Sequence, residues 1–430
     1  MLLIYSKLKT PRLKYALKHI FTAHYGLEHS LTDDLEAVKL HKGLVINYSE
    51  SEIPNSLQIM PELLLFQTNI DYWNMVLEQK VEMIESNFSK INFDIFAAVF
   101  FHISRYEEYL YIDKDLHQRF KHENSVLYES EMLDKPIVDI WIQDFKKILI
   151  NYLKVDGNLF KKHQFEVKPT IDVDSIFAFK GKGLFRTTAS MLKNLLFLQL
   201  NLISTKFMVL FGNKKDPFDN FDAQISALEN EKLKANYFFL MSDYGSYDKN
   251  IKYTNSEYKI IIDKLKQNGH EIGIHPGYAS NLDAKKVKLE IDRLNFILET
   301  KTETSRQHYL KMDLPKTYRT LLANGIKKDF TMGYADIIGF RAGTAFPFLW
   351  FDLEKNETTE LEIVPFVAMD VALKNGMRLN ENESDALLQP IIQELKTLNA
   401  PFCFVIHNES FANYGEWKGW QTLWLKWFKA

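Results

Sequence analysis

A single cysteine, Cys403, serves all 430 residues, so no disulfide forms within the chain and zinc sites built from several thiolates are excluded. Its neighbours Pro401-Phe402-Cys403-Phe404-Val405-Ile406 make it a small buried hydrophobe in an apolar strand. Glycine and proline are sparse, at 17 and 12, which argues against a disordered or low-complexity chain. No uncharged apolar run reaches the roughly 18 residues of a membrane span. The start, Met1-Leu2-Leu3-Ile4-Tyr5-Ser6-Lys7, lacks the long apolar core of a signal peptide, so a cytoplasmic location is expected. Net charge is only −3 and no basic stripe is visible, so nucleic acid is not an expected partner.

What remains is an ordinary globular composition, 46% hydrophobic and 25% charged, in a chain long enough for two domains. Aromatic residues make up 14% of it, a richness that suits core packing and also the stacking of sugars. Residues 1–164 show no repeating strand–helix rhythm. Leu2 to Tyr5 reads as a short strand and Arg12 to Thr22 as a helix. Asp94 to Tyr109 is apolar on most sides before turning charged, which predicts a mostly buried helix whose end carries His102, Arg105, Glu107 and Glu108 as solvated or paired groups. Pro136 to Leu153 reads as a closing helix.

From residue 165 the rhythm changes. Strands are expected at Phe165–Val173, Asn236–Met241, His270–His275 and Phe402–His407. Helices are expected at Ser256–Gln267, Asp283–Leu298, Pro315–Asn324 and Trp417–Phe428. Alternation of this kind predicts a parallel sheet curled into a distorted (β/α) barrel over 165–430, preceded by a smaller mixed α/β domain over 1–164. One insertion, Leu184 to Phe211, is strongly apolar. It is read either as helix shielding the fold or as an interfacial helix in contact with a membrane surface.

Chemistry concentrates at strand ends. Asp172 and Asp174 close the run Thr170-Ile171-Asp172-Val173-Asp174 and, two apart, face the same side of a strand. Two carboxylates so close need a cation or a positive side chain between them, so the pair is either half of a metal site or a strand end that caps and pairs. His270 and His275 flank the next strand at odd spacing, so His275 can point into a barrel mouth while His270 lies on the other face. Pro276-Gly277 then ends that strand, at the rim where barrels place their sites.

These runs, followed by Arg306-Gln307-His308 and Val405-Ile406-His407, resemble the ordered motifs of the polysaccharide deacetylases, carbohydrate esterase family 4, over about 165–410. The full length is similar to a bacterial subgroup with an uncharacterised N-terminal domain, through Phe100-Phe101, Ser104-Arg105-Tyr106-Glu107-Glu108-Tyr109 and Arg119-Phe120. In the C-terminal half the similarity runs through Arg306-Gln307-His308-Tyr309-Leu310, Gly339-Phe340-Arg341-Ala342-Gly343-Thr344 and His407-Asn408. The resemblance implies a barrel with fewer than eight units, a divalent metal, most simply zinc, and a carbohydrate substrate. It makes Asp172 the catalytic base, Asp174 and His275 metal ligands, Arg306 the arginine that orients the base, and His407 the general acid. Asp329 or Asp336 would occupy the region that acts through that arginine. Arg341 is expected to bind a substrate anion or to sit in a buried ion pair.

The chain departs from the pattern in two ways. One residue separates its two aspartates, and Ala279 stands where a second ligand histidine is usual. Two protein ligands hold a catalytic metal weakly, so His308 is the expected replacement. The function expected is hydrolytic removal of an N-acetyl group from an amino sugar of a surface glycan or its precursor. Hydrolysis of another non-peptide C–N bond is the enzymatic alternative. A non-catalytic glycan-binding or assembly protein on a degenerate barrel is the other.

Overall fold

The computed structural model describes residues 2–73, 78, 80–84, 89–111, 113–154, 157–281 and 283–430. The chain forms two compact units. Met1–Glu166, Gly339–Pro365 and Gln393–Pro401 make the first, and Val167–Ile338, Phe366–Ile392 and Phe402–Ala430 the second.

The first unit holds a sheet of β1 (Leu2–Ser6), β2 (His29–Thr32), β3 (Val45–Tyr48), β4 (Leu57–Ile59), β5 (Met83–Ile84) and β6 (Lys90–Ile91), in the order β2-β1-β3-β4-β6-β5. Every pairing is parallel except β5 with β6. The mixed α/β character expected of this segment is present, as a largely parallel sheet that no strand–helix rhythm in the sequence marked. β1, β3 and β4 are buried at every residue and at most five residues long, so they carry no alternation to mark them.

The helix Ile95–Ile103 is buried at all nine positions and is capped by Asp94, which accepts the Phe96 and Ala97 N–H groups at 3.0 Å. Its charged end is paired inside the unit. Arg105 bonds Glu107 and Glu108 at 2.8 Å, and Arg341 grips Glu108 through Nε (2.9 Å) and Nη2 (2.7 Å). Both guanidinium groups lie against the Phe120 ring. An antiparallel hairpin, Phe348–Asp352 with Glu357–Ile363, completes the unit.

The second unit is built from β7 (Val167–Val173), β8 (Asn236–Leu240), β9 (Glu271–His275), β10 (Thr304–Ser305), β11 (Lys328–Asp329), β12 (Ala368–Met369) and β13 (Phe402–His407). These seven strands run in the order β11-β10-β9-β8-β7-β13-β12, every pair parallel. Helices Glu257–Gln267, Ala284–Leu298 and Lys316–Ala323 connect β8 through β11, as the crossovers between parallel strands require. The sheet curls enough for its ends to touch. Phe366 N–H, just before β12, donates to Met332 O, just after β11, at 3.0 Å. Gly333 permits that approach, because a Cβ there would lie 2.3 Å from the Phe366 ring. The strands and helices thus form the expected α/β architecture, a parallel sheet whose ends meet at this contact. Among the described residues, no helix is long and apolar enough to cross a membrane.

Candidate metal centre

Parallel strands deliver their C-terminal ends to one rim, and the candidate residues arrive there together. In register, Asp172 of β7 pairs with His407 of β13 and with Phe238 of β8, while Leu240 of β8 pairs with His275 of β9. Asp174 lies one residue beyond β7, and His308 follows β10 in a single helical turn. Gly273 inside β9 keeps this packing close, since a Cβ there would meet Thr304 Oγ1 at 2.5 Å and the Phe238 ring at 2.6 Å.

Asp174, His275 and His308 each offer one ligand atom, and the three atoms lie within 4.8 Å of one another. The second nitrogen of each histidine is already committed. Nδ1 of His275 is 2.6 Å from the Arg306 carbonyl, and Nδ1 of His308 is 2.7 Å from Asp248 Oδ1. A carbonyl or carboxylate only accepts, so both Nδ1 atoms carry protons and both Nε2 atoms are presented to Asp174. His275 Nε2 and Asp174 Oδ1 are buried without a hydrogen-bond partner, 3.5 Å apart. Buried polar atoms left unpaired are costly, and a cation between them would satisfy both. The residues present therefore fit a divalent metal with one carboxylate and two imidazole ligands, a set that suits zinc.

The electrostatics agree. Burial opposes ionisation of Asp174, yet His308, His275 and His407 hold its carboxyl well below the usual range. Burial likewise opposes charge on His308, but Asp174 and Asp248 raise it to about 9. In the absence of a cation a proton thus takes the place between these groups.

Of the remaining predicted residues, Asp172, Arg306 and His407 lie beside the triad and the others do not. Asp172 is 2% exposed and accepts from Arg306 Nη1 at 2.9 Å, with Oδ2 3.8 Å from His275 Nε2. Arg306 is fully buried between the Phe238 and Phe366 rings and donates from Nε to Phe330 O. His407 is gripped twice by Asp370, through Nδ1 at 2.8 Å and backbone N–H at 2.6 Å. Burial works against its charge, but Asp370, with help from Asp174 and Asp172, holds the imidazole well above its ordinary value. Asp329 does not bond Arg306. It accepts from Ser305 and from Thr331 instead and secures the exit of β11, while Asp336 is exposed. His270 is on the opposite face, accepting from Ala235 N–H, and burial lowers it to about 4. Arg341 lies in the first unit, where both bonds above go to Glu108.

Sequence reasoning missed Asp248, Asp370 and a tyrosine cluster. The Tyr247 and Tyr278 rings pack at 4.1 Å with a 31° tilt, and Tyr309 lies 5.3 and 5.2 Å from them and 4.8 Å from the His308 ring. A cavity of about 430 Å³ opens there, lined by Tyr247, Asp248, Tyr278, Ala279 and Lys311 among others. Tyr309 and Leu310 follow His308 with φ of 61° and 51°. Two successive left-handed side-chain-bearing residues store strain of roughly 1–3 kcal/mol each, which is characteristic of functional sites. The signal available in the sequence was that these tyrosines all follow strand ends.

A family model described as "Family of unknown function (DUF7033)" matches residues 2–154. No curated protein matches the chain. Among solved structures, the chain is similar to a Mycobacterium smegmatis protein bearing the name polysaccharide deacetylase, at 13% identity, TM-score 0.40, covering 63% of this chain and 84% of that one. It is also similar to one bearing that name from Pseudomonas aeruginosa PAO1, at 10% identity, TM-score 0.39, covering 62% and 84%. A third is Puue allantoinase, at 11% identity, TM-score 0.38, covering 62% and 84%.

Proposed function

We propose that the protein is a metal-dependent hydrolase that removes an N-acetyl group from an amino sugar of a surface glycan or its precursor. The observation that carries this reading is the convergence of Asp174, His275 and His308, with two inward Nε2 atoms and an unpaired carboxylate oxygen, beside Asp172 and His407. Three protein ligands are the number that leaves a catalytic zinc site open, and His308 supplies the ligand that Ala279 cannot.

A bound divalent cation supplies Lewis acidity toward the acetamide carbonyl and toward water. The chain's own groups do the rest. Asp172, held by Arg306 2.9 Å away, takes the proton of the attacking water. His407, kept protonated by Asp370, gives its proton to the departing amine. The Tyr247, Tyr278 and Tyr309 rings beside the centre offer a sugar ring an apolar face to stack on. Arg341 is left out of this assignment.

Two measurements test the proposal together. Calorimetry with zinc is expected to give one tight site, abolished in Asp174→Ala, His275→Ala and His308→Ala. Acetate release from N-acetylated amino-sugar oligomers is expected from the zinc-loaded protein, falling at least about 100-fold in Asp172→Asn while zinc binding persists. Absence of stoichiometric zinc binding in the wild type would sink the metal-hydrolase reading. Zinc binding with turnover of formamides or cyclic amides and none of acetamido sugars would move the substrate to another C–N bond.

A further inference from the structure

Between Asp174 and Asp216 the chain has no acidic residue and seven basic ones, from Lys180 to Lys215. That segment forms two helices of the second unit, Gly183–Leu196 and Leu200–Leu210, which expose many large apolar side chains. The buried residue of the first is Asn194, and those of the second are Lys206 and Val209. The outward side chains include Leu184 (87% exposed), Phe185 (85%), Leu196 (75%), Phe197 (66%), Leu198 (80%) and Phe211 (74%). A water-facing helix pair has the opposite pattern, and a contiguous apolar face of this kind marks an interaction surface. The turn between the helices adds strain to exposure, because Leu198 has φ of 55°.

Charge says what the surface meets. Beneath the hairpin is a cavity of about 250 Å³, lined by Phe179, Lys182, Arg186, Ser190, Lys206 and Leu210. None of its three cations forms an ion pair among the described residues. Lys206 donates to Ser190 Oγ, and Arg186 donates to the Asn250 and Lys249 carbonyls while lying 3.8 Å over the Tyr244 ring. Burial, then Arg186 and Lys206, lowers Lys182 to about 8 against the pull of Asp216 and Glu409. Asp216 is itself occupied, accepting N–H groups from Ala178, Phe179 and Lys180. Three crowded cations beside an apolar face complement a lipid phosphate whose acyl chains continue from it.

We propose that the hairpin 183–211 lies in the interface of an anionic phospholipid bilayer, with lipid phosphate taken up by Lys182, Arg186 and Lys206. The hairpin docks without spanning, since neither helix is long enough to cross. Lys182 is eight positions beyond Asp174, a reach of at most about 28 Å, which keeps the strand-end rim near the lipid surface. This proposal stands apart from the hydrolase reading and does not depend on a metal.

The test is flotation of the full chain with vesicles of phosphatidylcholine alone and of phosphatidylcholine mixed with phosphatidylglycerol, at low and high salt. The wild type is expected to float with the anionic vesicles about tenfold more than with neutral ones, an excess that salt removes. Phe197→Ser with Leu198→Ser is expected to abolish flotation on both. Arg186→Gln is expected to reduce only the anionic preference. Circular dichroism of each variant should match the wild type, since these side chains are exposed or partly exposed. Failure of the wild type to float with anionic vesicles overturns the proposal, as does flotation unaffected by the Phe197→Ser, Leu198→Ser pair. A concentration-dependent dimer dissolved by that pair, without vesicle binding, would assign the surface to a second copy of the chain.

Discussion

Replacing Asp248 with alanine removes the carboxylate 2.7 Å from His308 Nδ1 and leaves the ligand atom Nε2 in place. Loss of such an orienting partner typically weakens metal binding about 10–100-fold, or about 1.4–2.7 kcal/mol. Two effects combine. Without Asp248 the imidazole is free to rotate or to exchange tautomers, and it loses the negative charge that makes Nε2 more basic. A structural side effect must be separated from these, because Asp248 Oδ1 also accepts the Tyr278 N–H at 2.9 Å. An orphaned buried N–H costs about 1–3 kcal/mol of stability. Asp248→Asn separates them, since an amide oxygen at the same place still accepts both protons. Zinc calorimetry and thermal melts on both variants are the assay. The expected order is wild type, then Asn within about tenfold, then Ala, with the Ala variant still folded at the calorimeter's temperature. Wild-type zinc affinity in a folded Asp248→Ala protein would refute the role of Asp248 and the reasoning about tautomers with it.

In the first unit, Asp139 is buried, accepts from Thr344 Oγ1 (2.5 Å) and the Ala345 N–H (2.8 Å), and is raised by burial to about 7 from 3.8. The native state binds that proton more tightly than the unfolded chain, so stability is fullest below about 4 and is lost as pH rises through 7. Between pH 5 and 8 the loss is about 2–3 kcal/mol, and Asp139→Asn should flatten that part of a urea-midpoint-versus-pH curve; an unchanged curve would refute it. At the candidate metal centre, Asp370→Asn removes the charge that holds His407 protonated. The alkaline limb of the acetate-release profile should then move to lower pH while zinc affinity stays put, and a limb that does not move would separate His407 from proton donation.

The second unit was largely legible because its elements are long or sharply bounded. Helix Ala284–Leu298 carries its apolar residues at helical spacing, and β13 was legible as Phe402–His407 because six consecutive buried residues end at a histidine. The first unit's sheet was hidden by the opposite circumstance. β4 is three residues long and β5 and β6 two each, too short for any period, and their pairing is decided by burial against partners distant in sequence. The hairpin Phe348–Asp352 with Glu357–Ile363 escaped notice because only the structure shows two later segments clustering with the N-terminal one.

Within the site, the split between legible and hidden residues follows what each must do. Asp174, His275 and His308 have to present a donor atom at a strand end, so residue type and place in the βα order single them out. Asp248 and Asp370 need only reach a histidine's far nitrogen, and any loop long enough can bring a carboxylate there. Asp248 lies in the extended segment after β8, sixty positions from the ring it holds, with no local pattern around it. Ala279 makes the same point from the other side. A metal responds to three atoms within a few ångströms, not to a motif position, so in the proposed site an imidazole after β10 can serve in place of one after β9 when a neighbouring carboxylate turns it inward. Asp248 is placed to supply that turn: it touches both His308 and the backbone beside Ala279, through the Tyr278 N–H, and so ties that position to the imidazole proposed as the third ligand.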